Sequence, residues 1–294
     1  MDHPLIRPRT AAGLLFMLLL ALTAARPAAA DENTLTVSSQ NTLHLSDSQR
    51  GKEKRKWVKA QNANYDVNLL QEVMKSAKLN DVKPGSYVFQ DTGLKGLSSY
   101  KERYAIFYKS VLTAENGGTK MVDLDKTTAK KFARPPSGTL INDGAGNLIW
   151  FIDFHAIFGK SIQLRRAEAT AMATAYTAFK DTDTWGECDG VVIGGDWNLP
   201  ATDTGFKKLK AINQGHMDIV PDIKTSLTKA GALSEKYDHF VVDDELIDIT
   251  DCDYTPLNGK SRSWFRKNVS DHLGITCTIT FGEDARTGKR KRKK

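Results

Sequence analysis

Cysteine is scarce in this chain: 294 residues carry three, Cys188, Cys252 and Cys277. Three thiols allow at most one internal pair, and their spacing fits no thiolate metal motif. A disulfide-stapled scaffold and a zinc ribbon are therefore both excluded. Cys277 sits in an apolar alternating run and reads as a small buried hydrophobe. Long apolar runs are missing too, with one exception at the amino end. Even that run falls short of the roughly 20 apolar residues that a membrane-spanning helix needs, and no other stretch comes near it. There is no internal repeat, and no low-complexity segment away from the two ends. Nor is there a linker that would divide the body, so one large domain is expected over residues 31–285.

The exception is "AAGLLFMLLLALTAA" (11–25), preceded by Arg7 and Arg9 and followed by "RPAAA", which ends at Ala30. A positive start, a short apolar stretch and a small-residue cleavage site form the pattern of a secretory signal peptide. Cleavage is expected near Ala30, with delivery to the periplasm or the outside; an uncleaved anchor is the alternative. After cleavage no stable membrane association is expected, and the mature chain is expected to be a monomer.

The basic balance of the chain is local. The whole sequence stands at +7. Setting aside the leader's three arginines and one aspartate leaves +5, and the final nine residues, "RTGKRKRKK", hold seven of the basic groups, so the body stands at −2. That tail (286–294) reads as disordered, since like charges repel and nothing in it is apolar. It serves either to attract a polyanion or to keep the protein soluble.

Short apolar or alternating runs recur through the body. They are "LTVSSQ" (35–40), "YDVNLLQEV" (65–73), "SYVFQ" (86–90), "RYAIFYK" (103–109), "LIWFIDFHA" (148–156), "GVVIGGD" (190–196), "DHFVVDD" (238–244) and "GITCTITF" (274–281). Their Val, Ile, Phe and Tyr content predicts strands. Helical patterns lie between some of them, at 50–64, 161–180 and 203–215, while 114–125 reads as a loop. Strands interleaved with helices predict an α/β chain. The basic helix at 50–64 reads as a solvated face, and the Ala-rich one from Ser161 as packing.

Sites in α/β proteins gather at strand ends. Asn41, Glu72, Glu102, His155, Asp196, Asn198, Asp238, Asp271 and His272 all fall there. A polar residue at a strand end is usually a turn former, so the set counts for more than any member. Its composition fits one reaction. A hard divalent cation takes carboxylate oxygens, here Glu72, Asp196 and Asp271, and can polarise a phosphodiester. Asn41 and Asn198 can donate to phosphate oxygens. His155 and His272 can serve as acid and base, each wanting a carboxylate behind it. Glu102 and Asp238 remain for that task. Asp271 is a poor orienting partner for His272, because consecutive residues of an extended chain diverge. His44, His216 and His239 have no such context and read as surface or satisfied core residues.

In chain order, "LLQEV", "SYKERYAIFYK", "FHA", "GGDWN", "YDHFVV" and "SDH" resemble the endonuclease/exonuclease/phosphatase superfamily, and most of all its deoxyribonuclease I branch. The resemblance spans about Leu35 to Phe281. It implies a four-layer α/β/β/α sandwich of two mixed sheets. It also implies Glu102 paired with His155, Asp238 with His272, and a magnesium-like ion (Mn2+ and Ca2+ being alternatives) on Glu72, with Asp196 and Asp271 near it. Asn41 and Asn198 would bind the scissile phosphate, and His272 would act as base with His155 as acid. Tyr100, Arg134 and Thr225 match positions that touch DNA. The implied activity is cleavage of DNA with little sequence preference, leaving 5′-phosphate ends, with RNA a further candidate. The alternatives are a phosphatase or sphingomyelinase-type phosphodiesterase of the same superfamily, or a non-catalytic toxin-associated binding protein. The "KERY" and "YD" elements favour the nuclease. Three departures bear on the grip on duplex DNA and on calcium: Met74 stands where the family often has an arginine, the animal enzymes' cystine pattern is absent, and residues 117–125 show no calcium-site signature.

Overall fold

The computed structural model describes residues 34–46, 51–96, 101–159 and 161–281. The expected leader, Tyr100 and the basic tail lie outside the described residues. The strands among those residues are β1 (Thr34–Leu45), β2 (Val67–Val73), β3 (Tyr87–Asp91), β4 (Arg103–Lys109), β5 (Thr113–Ala114), β6 (Val122–Asp123), β7 (Ser137–Asn142), β8 (Leu148–His155), β9 (Gly190–Asp196), β10 (Met217–Val220), β11 (Asp238–Asp243), β12 (Ile247–Tyr254) and β13 (Ile275–Phe281). They form two sheets. The first runs β12-β13-β1-β2-β4-β3, the second β10-β11-β9-β8-β7-β5, with β6 also on β7. Each sheet is mixed: β1 and β2 are parallel, as are β8 and β9, while the other neighbours are antiparallel.

The layering follows from side-chain alternation. On β2, β8 and β9 every second residue faces the opposite sheet: Leu69, Phe151 and Val192 pack there with Val37, Ile106 and Ile275. Their neighbours face outward. Trp150, Ile152, Val191 and Ile193 pack with Met172, Tyr176 and Phe179 of the Ile162–Phe179 helix. On the far side, Leu70, Ala105 and Phe107 pack with Trp57 of the Gly51–Asn62 helix and Phe265 of the Arg262–Asn268 helix. Strands covered on both faces read as continuous apolar runs, and β2 and β9 are buried along their whole length. The four-layer α/β/β/α sandwich is as expected.

Several local expectations fail for identifiable reasons. The helix expected over 203–215 is a 3-10 turn, a four-residue helix and a second turn, and helical backbone ends where Asn213 and Gln214 take left-handed φ of 48° and 60°. β7, β10 and β12 escape the sequence reading. β12 is an edge strand whose aspartates at 248, 251 and 253 dilute its β signal while staying off the core; charge on an edge also discourages strand addition. The loop expected at 114–125 contains β6 and borders β5. Cys277 is buried, but as half of a disulfide with Cys252 on the neighbouring strand. The pairing is invisible in sequence because it depends on the β12/β13 register.

Candidate active site

The inner faces of the strands change character along their length. Val192, Gly194 and Asp196 share one face of β9; Val242, Phe240 and Asp238 share one face of β11; Phe151, Asp153 and His155 share one face of β8. In each strand the run starts in the apolar core and ends on a site residue. Register then aligns those ends. His155 sits opposite Asp196 and Asp196 opposite Asp238, so the three form a row across β8, β9 and β11. Gly195 permits the close approach of β8 and β9: it has φ +153°, and a Cβ there would lie 1.8 Å from the Phe154 carbonyl oxygen. The first sheet supplies Asn41 from β1, Glu72 from β2, Glu102 just ahead of β4 and His272 ahead of β13.

Two histidine–carboxylate pairs result. Glu102 Oε1 lies 2.7 Å from His155 Nδ1, and Asp238 Oδ2 lies 2.8 Å from His272 Nδ1. Both rings point their other nitrogen at a single oxygen: Asp196 Oδ2 is 3.6 Å from His155 Nε2 and 3.5 Å from His272 Nε2. Burial and the Arg134 cation would lower the proton affinity of His155, but Glu102 and, behind it, Asp196 together outweigh them, so it is raised. His272 is pushed up to about 10: burial opposes, and Asp196, Asp238 and Asp271 overcome it.

Glu72 owes its direction to a bulge. Between Leu70 and Val73, β2 spends two residues against one, Tyr104, on β4. Glu72 takes a left-handed φ of 58°, which turns its side chain off the outward face that Leu70 occupies. Asn41 then ties it to the row, donating from Nδ2 to Glu72 Oε1 (3.0 Å) and to Asp196 Oδ2 (3.1 Å). In this structure the Asn41 amide therefore holds two carboxylates together. His44, expected at the surface away from the site, lines the same cleft; its Nε2 lies 3.2 Å from Glu72 Oε2. Leu43 and His44 are both left-handed. Lys54, from the helix expected to be merely solvated, is buried and donates to the carbonyls of Thr42 and Leu43. Burial lowers Lys54 to about 8 despite the nearby Glu72 and Asp271.

Other expected residues do different work. Thr225 is fully buried, out of reach of a substrate. Its hydroxyl accepts from the backbone N–H of Tyr237 and Asp238 at 3.2 and 3.1 Å, which fixes the start of β11. Arg134 lines the cleft but is 7% exposed; its guanidinium donates to the carbonyls of His155 and Ala156 and lies 3.6 Å from Glu102. It braces the cleft wall. Asn198 donates from Nδ2 to the Ala156 carbonyl at 3.1 Å, and its left-handed φ of 51° suits asparagine. Asp271 lines the cleft, and one of its oxygens lies 3.6 Å from an Arg266 nitrogen. His216 pairs with Asp244, and His239 is buried among backbone carbonyls.

Three buried residues, Gln71, Asp153 and Glu168, support the site without being among its expected members. Asp153 Oδ1 accepts from Gln71 Nε2 at 2.6 Å, and burial holds its carboxyl well above the usual range. Glu168, on the helix expected only to pack, accepts from the backbone N–H of Ala133 and Ile157. Period-2 alternation from His155 would have placed Asp153 on the inner face. Nothing in the sequence ties Glu168 to its partners.

The cleft is about 600 Å3 in volume. Among the described residues, two sets of ligand-type atoms each lie within 4.8 Å: Glu72, Glu102 and His155, and Asp196, Asp238 and His272. Asp271 belongs to neither set, so the three expected metal ligands share the cleft without forming one compact cluster. The donor set is oxygen and imidazole with no thiolate. Glu72 and Asp196 need an amide donor between them. Both facts fit a hard divalent cation.

No family model matches the chain, and no curated protein matches it by sequence. Solved structures do match in fold. An endonuclease/exonuclease/phosphatase family protein from Bacteroides thetaiotaomicron is 15% identical with a TM-score of 0.60, over 85% of this chain and 95% of that one. A mannosyl-6-phosphatase from the same organism is 16% identical with a TM-score of 0.60, over 84% and 100%. The human Nocturnin catalytic domain, with bound sulfate, is 15% identical with a TM-score of 0.58, over 85% and 95%. The structural neighbours of this chain are endonuclease/exonuclease/phosphatase proteins, and it has their fold.

Proposed function

We propose that this protein is an exported, divalent-metal-dependent endonuclease. It hydrolyses DNA phosphodiester bonds with little sequence preference and leaves 5′-phosphate ends. The observation that carries the reading is the meeting of two histidine–carboxylate pairs on Asp196 Oδ2. Hydrolysis of a diester needs one proton taken from water and one given to the leaving oxygen, and two oriented imidazoles meet both needs. The Cys252–Cys277 disulfide supports export, since such bonds persist in oxidising compartments.

Glu72 would be the principal ligand of the cation, with Asp196 and Asp271 lining the same cleft. When bound, it would polarise a non-bridging P–O bond and stabilise the charge that develops on phosphorus. The remaining steps belong to the side chains. Glu102 and Asp238 hold each ring by Nδ1, which leaves Nε2 to exchange a proton in the cleft. Two of the charges that raise His272, Asp196 and Asp271, are expected ligands; among those that raise His155, Glu102 leads and Asp196 follows. The proton affinity of His272 is thus tied to the metal site, and we assign it as base, taking a proton from the attacking water. His155 is the acid, protonating the departing 3′ oxygen.

A plasmid-nicking assay on the mature protein, with magnesium and with chelator, tests this. Magnesium-dependent nicking, lost in His155→Ala, is the expected result. Release of phosphate from sugar or lipid phosphates in place of nicking would move the activity to another branch with the same fold.

A further inference from the structure

The cleft is larger than one phosphate requires. At about 600 Å3 it falls in the range of sites that enclose a drug-sized ligand. Part of its lining is apolar: Leu43 from the first sheet, and Ile157 and Phe158 following β8 of the second. Phe158 is 79% exposed. A phenylalanine ring left in water forgoes the free energy of burial, so an exposed ring at the lip of a cleft calls for an explanation.

The chain that carries the ring is held firmly. Ala156 N donates to the Asp196 carbonyl at 2.8 Å, and the Ala156 carbonyl accepts from Arg134 and Asn198. Ile157 N donates to Glu168 Oε2 at 2.6 Å. The other Glu168 oxygen takes Ala133 N at 2.5 Å, and Glu168 itself is 4% exposed. A buried carboxylate committed to two backbone amides fixes the root of this lip. The ring is presented from a rigid base beside His155.

We propose that Phe158, with Ile157 and Leu43, is a stacking subsite for the nucleobase next to the scissile phosphate. The favoured substrate is then a single-stranded or frayed segment, because a base inside a duplex is already stacked on both faces and has none to offer. The inference rests on the nuclease reading above. A single ring suits a single base; a bilayer would call for a broad apolar patch.

The test compares wild type, Phe158→Ala and Phe158→Trp, with magnesium, on a single-stranded oligonucleotide, the blunt duplex of the same sequence, and an oligonucleotide of equal length whose sugars lack bases. Wild type should show a lower KM on the single strand than on the duplex. Phe158→Ala should raise the single-strand KM about tenfold with little change in kcat, leave the baseless substrate unaffected, and be rescued by Phe158→Trp. An unchanged single-strand KM, or an equal loss on the baseless substrate, would overturn the subsite while leaving the nuclease reading intact. Failure of wild type to cleave any of the three would remove the nuclease reading and the base subsite together. Phosphatidylcholine vesicle hydrolysis that is sensitive to Phe158→Ala would then assign the lip to a lipid.

Discussion

His155 and His272 come from different sheets, yet their Nε2 atoms lie 3.6 and 3.5 Å from the same Asp196 oxygen. Asp196 therefore acts on both rings at once. Without metal, the His272 ring should stay protonated up to about 10, against about 6.5 for an ordinary histidine. Asp196→Asn should lower the titration of both rings. Imidazole NMR signals followed against pH in chelator report this; a wild-type His272 that titrates near 6.5 would contradict the account.

The two carboxylates behind the rings should matter without touching substrate. Glu102→Gln and Asp238→Asn keep the shape and remove the charge. Each should cost about 100-fold or more in kcat with KM little changed. Combined with His155→Ala, Glu102→Gln should add almost nothing, because both act on the same proton transfer. Steady-state kinetics on the double variant would settle the point.

Gly195→Ala probes the fold beneath the site. A Cβ 1.8 Å from the Phe154 carbonyl oxygen cannot be absorbed by a side-chain adjustment, because the obstacle is backbone. A loss of several kcal/mol is expected, read as a fall in Tm of about 10 °C or more or as failure to recover soluble protein.

Much of the site was legible in the sequence for a simple reason. Asp196, Asp238 and His155 sit at the tips of apolar strand runs, and strand tips are where sites in α/β proteins gather. What stayed hidden depends on geometry with no linear trace. Glu72 turns into the cleft only because a bulge sets its φ to 58°. His44 arrives through the left-handed backbone just after Asn41. Thr225 matches a position that touches DNA, but its hydroxyl accepts from the N–H groups of Tyr237 and Asp238. Cys252 found Cys277 through a strand register that nothing nearby announces.

Acid should weaken the protein through Asp66, which does not line the cleft. Burial would raise this carboxyl, but hydrogen bonds from Lys109 and from the Thr36 hydroxyl and N–H outweigh it and hold it below the usual range. A depressed folded value means the stabilisation is present above the unfolded pKa of about 3.9 and is lost as pH falls through the folded value. Asp66→Asn should cost about 1–2 kcal/mol at pH 7, and the gap to wild type should narrow once the pH is taken below about 3.9. Denaturant titrations at the two pH values measure it.

The Gln71–Asp153 hydrogen bond runs from β2 to β8, through the seam between the two sheets and two residues inward of His155. It works as a dowel. Each histidine–acid pair has to stay registered to within a few tenths of an ångström, and the Glu102–His155 pair is assembled across that seam. Apolar side chains fill the seam but are indifferent to a small slide of one sheet over the other; a short directional bond is not. Alignment of the chemistry is thus secured by two residues that no substrate ever meets.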